Sequence, residues 1–107
     1  MKCDKGMMRL YAVTDRAWVG RLSLYEQVEA ALQHGVTCVQ LREKDLDEDT
    51  FFQEAVALRE LCHRYSVPFL INDNVDLALR CGADGVHVGQ DDMDPRQARA
   101  LLGPDKI

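Results

Sequence analysis

Five consecutive residues, Gln40-Leu-Arg-Glu-Lys44, carry the densest chemistry in this chain. They close a segment, Thr37-Cys-Val-Gln-Leu41, whose β-branched and apolar content suits a strand. Side chains on a strand alternate between faces, so Gln40, Arg42 and Lys44 share one face while Val39 and Leu41 share the other. Two cations and an amide on one face would be costly inside a plain core. They suit a strand end that opens into a polar site for an anion. Arginine can grip phosphate oxygens with two parallel hydrogen bonds, and lysine adds a mobile point charge.

Two further apolar runs end in polar clusters. Pro68-Phe-Leu-Ile stops at Asn72-Asp73, and Gly85-Val-His-Val-Gly89 stops at Gln90-Asp91-Asp92. One ending supplies cations and two supply acids. Carboxylates beside a cationic phosphate grip point to a hard divalent ion, because Mg²⁺ is usually held by one or two carboxylates together with substrate phosphates. The composite reads as a Mg²⁺-pyrophosphate site. Plainer readings exist for each residue. Arg42 and Lys44 could be solvated charges at a surface strand end, and Asp73 and Asp92 could serve as helix caps or turn residues. Asp94 fits the capping reading better than Asp92, because Pro95 follows it directly. Glu43, of opposite parity, reads as an ion-pair partner or a helix-facing residue. Asp91, His87 and Trp18 receive no role from the sequence. A lone strand histidine such as His87 is more often packed or hydrogen-bonded than catalytic, and His34 and His63 read as solvent-facing on helices. No nucleophile–base pair stands out, so catalytic residues stay unassigned.

The elements that would position these residues alternate between strand and helix four times. A first strand is predicted at Arg9 to Thr14. Helix one follows Ser23, with Glu26 three residues later completing a capping box; Leu24, Val28, Ala31 and Leu32 form its apolar stripe, and Gly35 suits its stop. Strand two is Thr37 to Leu41. Helix two begins after the acidic cluster Asp47-Glu48-Asp49, which complements a helix N-terminus. It carries Phe52, Ala55, Val56, Leu58, Arg59 and Cys62 and stops before Pro68. Strand three is Phe69 to Ile71. A short third helix runs from Val75 to Arg80, with Asn74 as cap and Gly82 as stop. Strand four is Gly85 to Val88. Helix four has Asp94 and Pro95 at its start, an apolar face of Ala98, Leu101 and Leu102, and Gly103-Pro104 at its end. Lys106-Ile107 reads as the opening of a fifth strand. Such alternation implies a parallel α/β sheet with right-handed crossovers. In parallel sheets of this kind ligands gather at the carboxyl ends of the strands, where all three polar clusters fall.

The 107 residues allow one domain with a modest core, and 47% hydrophobic with 29% charged residues is an ordinary globular composition. A net charge of −5 argues against a nucleic-acid or anionic-membrane binder. The N-terminal residues lack an apolar signal core, and no apolar run approaches a membrane span. Cys3, Cys38, Cys62 and Cys81 are scattered without a Cys-x-x-Cys pair, which favours reduced thiols and a cytoplasmic location.

The order and spacing of three segments resemble the thiamine-phosphate synthase family: Gln40-Leu-Arg-Glu-Lys44, Ile71-Asn-Asp73 followed by Val75-Asp-Leu-Ala78, and Ala83-Asp-Gly-Val-His-Val-Gly-Gln-Asp-Asp-Met93. The likeness runs from Leu10-Tyr-Ala-Val-Thr-Asp15 to Ile107. It implies a TIM (β/α)8 barrel and an enzyme of thiamine biosynthesis. Such an enzyme joins 4-amino-5-hydroxymethyl-2-methylpyrimidine diphosphate to a thiazole phosphate, releasing pyrophosphate, with Mg²⁺ as cofactor. It further implies that Gln40, Leu41, Arg42, Glu43, Lys44 and Asn72 bind the pyrimidine diphosphate and that Asp73 and Asp92 hold Mg²⁺. In the chemistry so implied, the pyrimidine methylene becomes cationic as pyrophosphate leaves, and the thiazole nitrogen attacks it. That step needs stabilisation of the departing charge rather than a general base.

A TIM barrel takes roughly 250 residues, so residues 1–107 are expected to form one partial domain: the first four βα units, truncated at the start of strand five. The family's second half, with its loops for the pyrophosphate and the thiazole phosphate, would be missing. Two open sheet edges and uncovered interior surface invite self-association or a complementing second-half chain. Two alternatives stand beside this reading: a thiazole tautomerase-like protein, disfavoured by the acids at Asp73 and Asp92, and a non-catalytic diphosphate-binding fragment.

Overall fold

The structure, a computed structural model, describes residues 5–14, 23–42, 47–89, 94–104 and 106–107. Trp18, Glu43, Lys44, Gln90, Asp91 and Asp92 lie outside the described residues. After a short 3₁₀ turn at Lys5–Met8, four strands alternate with four helices: β1 (Tyr11–Val13), α1 (Leu24–Gln33), β2 (Cys38–Leu41), α2 (Glu48–Arg64), β3 (Phe69–Asn72), α3 (Val75–Cys81), β4 (Gly85–His87) and α4 (Pro95–Leu102). The strands form one parallel sheet in the order β1-β2-β3-β4, as the alternation predicts.

Local signals set the helix starts. Ser23 Oγ accepts from the Glu26 N–H at 3.2 Å and Glu26 Oε1 accepts from the Ser23 N–H at 3.3 Å, a reciprocal capping box. Asp47 caps α2 by accepting from the backbone N–H and hydroxyl of Thr50, at 2.9 and 2.8 Å. Asn74 Oδ1 accepts from the Leu77 N–H at 2.9 Å to cap α3, and Gly82 ends that helix in the left-handed conformation, φ +74°.

The register separates two faces. Val39, Leu41, Phe69 and Ile71 lie in one continuous core with Leu24, Val28 and Leu32 of α1, Phe51, Ala55, Leu58, Leu61 and Cys62 of α2, and Leu77 and Ala78 of α3. Each fully buried leucine or phenylalanine there contributes about 1.5–3 kcal/mol by leaving water. On the other face, the pairings Tyr11 with Cys38, Val13 with Gln40, Gln40 with Leu70, Leu70 with Gly85 and Asn72 with His87 line up the opposite set of side chains.

Several expectations need correction. The first strand is three residues long, not six, and β3 runs on through Asn72. The buried stripe of α2 includes Phe51 and Leu61, whereas Phe52 is half-buried with the Arg80 guanidinium 5.0 Å from its ring centroid. Leu101, expected on the apolar face of α4, is 56% exposed; Ala98 is the buried residue of that helix. His63 is tied to a carboxylate rather than pointing freely to solvent, because its Nε2 lies 2.9 Å from Asp84 Oδ2. His87 is exposed rather than packed.

Past α4, Ile107 lies along the open side of β4. Its N–H donates to Asp84 O at 2.9 Å, and its carbonyl accepts from the Val86 N–H at 3.2 Å. One residue bonded to both neighbours of Gly85 is the pattern of a parallel ladder. Among the described residues no helix is long and apolar enough to cross a membrane.

Candidate functional site

Parallel strands bring the carboxyl ends of β1, β2, β3 and β4 to one rim of the sheet. Thr14 follows β1 there. Its N–H donates to Gln40 O at 2.9 Å and its buried hydroxyl accepts from the Arg42 N–H at 2.9 Å. The backbone of Arg42 is thereby pinned as a continuation of β2 while its guanidinium stays exposed. A fixed backbone with a free cationic head suits anion capture at a rim.

Behind Arg42, on the face away from the helices, Gln40 is 3% exposed. A buried primary amide needs partners for both ends. Gln40 Nε2 donates to the Tyr11 hydroxyl at 2.7 Å, and Gln40 Oε1 accepts from Asn72 Nδ2 at 2.9 Å. Three neighbouring strands are thus cross-linked by one side-chain chain, Asn72 to Gln40 to Tyr11. Gln40 and Asn72, singled out independently in the sequence, are brought into direct contact. Tyr11 was missed. Alternation gives its parity, but only the register of β1 against β2 places it beside Gln40.

Leu41 takes the other direction. Its side chain is fully buried among the helix-facing residues, which leaves its backbone as the part able to touch a ligand.

Asp73 follows β3 in the left-handed region at φ +74°. Its N–H donates to His87 O at 2.7 Å, and the next N–H, of Asn74, turns back to Asn72 O at 2.8 Å. Aspartate tolerates this conformation better than most non-glycine residues, at a cost, and such strain clusters where a side chain must be aimed. The capping alternative for Asp73 fails, because Asn74 caps α3. The exposed Asp73 carboxylate stands beside Asn72 at the rim. It is a hard oxygen donor of the kind Mg²⁺ prefers. Among the described residues no three histidine, cysteine, aspartate or glutamate side chains form a metal cluster. One protein carboxylate with phosphate oxygens and water is nevertheless a workable donor set for this ion. Asp94, as expected, caps α4 through the Arg96 N–H at 2.7 Å.

Thiol chemistry finds no support at Cys62 or Cys81. Burial, with Asp84 and Cys38 nearby, pushes the Cys62 thiol up to about 12, and burial also raises Cys81. Neither forms an appreciable thiolate at neutral pH.

A groove of about 410 Å³ runs along β1 between the strand and α1, lined by Ala12, Val28, Ala31 and Val39, with Thr14 and Arg42 among its few polar groups. Its apolar walls suit packing more than anion binding. The opposite end of the sheet is braced by Asp84, whose Oδ2 accepts from the Phe69 N–H at 2.8 Å as well as meeting His63. That carboxylate is spent on the scaffold.

Residues 10–107 match the family model described as thiamine monophosphate synthase. A thiamine-phosphate synthase of Caldanaerobacter subterraneus is 49% identical over 98 residues, covering 92% of this chain and 46% of that protein. One of Clostridioides difficile is 48% identical over 103 residues, covering 96% of this chain and 49% of that protein. The solved structure of a thiamine phosphate pyrophosphorylase from Pyrococcus furiosus superposes with a TM-score of 0.86 at 33% identity, over 95% of this chain and 48% of that one. The chain thus spans about half the length of these relatives.

Proposed function

Because the chain belongs to the thiamine monophosphate synthase family, we propose that it supplies the diphosphate-binding half of a thiamine-phosphate synthase active site, built on the first four βα units of a (β/α)8 barrel. The observation that carries this reading is the convergence of Gln40, Arg42, Asn72 and Asp73 on one rim of a parallel sheet, two of them in direct contact. The sequential strand order and the ladder bonds of Ile107 beside β4 support the barrel reading, since each strand of such a barrel pairs with the next.

The substrate is the pyrimidine diphosphate. Its charged end is the ligand proposed for Arg42 and Lys44, with Glu43 and the backbone of Leu41 as further contacts. Its base lies deeper, where the amides of Gln40 and Asn72 offer both donors and acceptors to an aminopyrimidine edge. Asp73 and Asp92 are the residues that would hold Mg²⁺; when bound, the ion neutralises charge on the departing pyrophosphate. Arg42 and Lys44 stabilise that charge from the protein side. Attack by the thiazole nitrogen requires no proton removal, which accords with the absence of an assigned base. The thiazole phosphate would be held by the remaining half of a complete site, from a second copy of this chain or from a complementing chain. The location proposed is cytoplasmic.

The test is formation of thiamine phosphate by the purified chain given both substrates, with and without Mg²⁺. Mg²⁺-dependent product that disappears in Asp92→Ala means that copies of the chain assemble a working site. No product from a folded chain that still binds the pyrimidine diphosphate leaves it as the donor of a half-site. A folded chain with neither product nor binding rejects the proposal.

A further inference from the structure

We infer that Thr14 is a positioning residue for the diphosphate: its hydroxyl holds the backbone of Arg42 and so sets the direction from which that guanidinium meets the phosphates. The inference rests on the site reading above and adds a residue and a role to it.

The ladder between β1 and β2 ends on a side chain. Backbone groups along a central strand turn alternately to its two neighbours. Gln40 turns to β1, where its carbonyl accepts from the Thr14 N–H at 2.9 Å, and Val39 turns to β3, where its N–H donates to Pro68 O at 3.1 Å. Arg42, two residues past Gln40, turns to β1 again. Continuing the pairing of Val13 with Gln40 sets Thr14 opposite Leu41, so a regular ladder would bring the Arg42 N–H to the Thr14 carbonyl. It donates instead to the Thr14 hydroxyl oxygen at 2.9 Å. A backbone N–H can only donate, so the sense of this bond is fixed whichever way the hydroxyl proton points.

Threonine suits this task. Its side chain is 7% exposed and lines the apolar groove with Leu24, Val28 and Val39. A hydroxyl among such walls is costly without a partner, and the Arg42 N–H is a partner. A β-branched side chain has few χ1 rotamers, so the oxygen is a stiff anchor. Arg42 itself is exposed. Without the bond, water can take over its N–H, so the fold survives while the backbone that carries the guanidinium loses a constraint. Two parallel hydrogen bonds to phosphate demand a defined direction of approach, and binding would then have to order that backbone first.

The experiment compares Thr14→Val, which keeps the shape and loses the hydroxyl, with Thr14→Ser, which keeps the hydroxyl and loses a methyl. Inorganic pyrophosphate with Mg²⁺ is titrated into each intact chain by calorimetry, and urea unfolding is followed without ligand. Ordering one residue's backbone on binding corresponds to about five- to thirtyfold in affinity. Thr14→Val is therefore expected to weaken pyrophosphate binding about tenfold, and Thr14→Ser less than about threefold. Stability should rank the pair the other way, because serine removes a methyl from the apolar wall of the groove. A role in packing alone would make serine both the less stable variant and the weaker binder. Wild-type affinity in Thr14→Val, or equal losses in the two variants, would overturn the inference while leaving the site reading intact. A wild-type chain that binds no pyrophosphate would overturn the site reading, and this inference with it. Should Thr14→Val fail to fold, hydrogen exchange at the Arg42 amide of the wild-type chain decides the matter: clear protection supports the anchor, and exchange at the rate of an unstructured peptide overturns it.

Discussion

Replacing Asp84 by alanine removes the brace that joins three elements at the amino end of the sheet. Asp84 Oδ2 accepts from the Phe69 N–H at 2.8 Å and lies 2.9 Å from His63 Nε2. The two partners differ in burial. Phe69 is 0% exposed, so its N–H would lose its partner where water does not reach, at about 1–3 kcal/mol. The His63 side chain is 39% exposed and can be rehydrated, so its loss contributes at most about 1 kcal/mol. The expected destabilisation is about 1–4 kcal/mol, a large share of the roughly 5–15 kcal/mol that stabilises a typical domain. Urea denaturation measures it as a fall in midpoint at constant slope. Asp84→Asn retains an acceptor oxygen for Phe69 and should recover more than half of the loss. His63→Ala should cost less than about 1 kcal/mol, since it removes only the wetter interaction. A His63→Ala loss equal to that of Asp84→Ala, or an Asp84→Ala loss below about 0.5 kcal/mol, would refute the reasoning that the buried backbone donor dominates.

Other consequences can be measured alongside. A Cβ placed on Gly85 would lie 2.7 Å from Ile107 Cβ and 2.8 Å from its carbonyl carbon, so Gly85→Ala should detach Ile107 from β4. Hydrogen exchange at the Ile107 amide should then accelerate at least about tenfold, and unchanged exchange would contradict the fifth-strand pairing. The thiols of Cys38, Cys62 and Cys81 are buried, with Cys62 pushed up to about 12 by burial and nearby Asp84 and Cys38, so native protein should resist iodoacetamide at these positions at pH 8 and react once unfolded. The Asp47 carboxylate is held below its ordinary value by hydrogen bonds from Thr50. A group depressed in the folded state contributes stability above its unfolded pKa and loses it as pH falls through the folded one. Asp47→Asn should therefore flatten the acid side of the stability profile, below about pH 4, while a profile parallel to wild type there would contradict the assignment.

Much of this fold was legible because its signals are local. Ser23 with Glu26, Asn74, Asp94 with Pro95, and Gly82 each act within a few residues, and each sits where its chemistry predicts, whereas α2 starts inside the acidic cluster rather than after it, with Asp47 as its cap. The placing of Arg42, Asn72 and Asp73 at strand ends was legible because polar residues that close apolar runs are costly inside a plain core, while Gln40 is buried and is accommodated only by its hydrogen bonds to Tyr11 and Asn72. What escaped is relational. Phe52 was chosen over Phe51 because both fit a helical period within one position, and only docking against the sheet selects the face. Leu101 looks apolar in the period of α4, yet in the structure Ala98 alone of that helix is buried. His63 and Asp84 are 21 residues apart in sequence and meet only after α2 packs beside β3 and β4. Tyr11 and Gln40 are 29 apart and meet only through strand register.

The central claim is that the carboxyl rim of this sheet is a Mg²⁺-dependent diphosphate site. The most direct test is titration of the pyrimidine diphosphate into the chain with Mg²⁺ and again with a chelator, for wild type, Arg42→Ala and Asp73→Asn. The account predicts binding that requires Mg²⁺, falls at least about tenfold in Arg42→Ala, and loses most of its Mg²⁺ dependence in Asp73→Asn. Binding of equal strength without Mg²⁺, or undiminished in both variants, would contradict it.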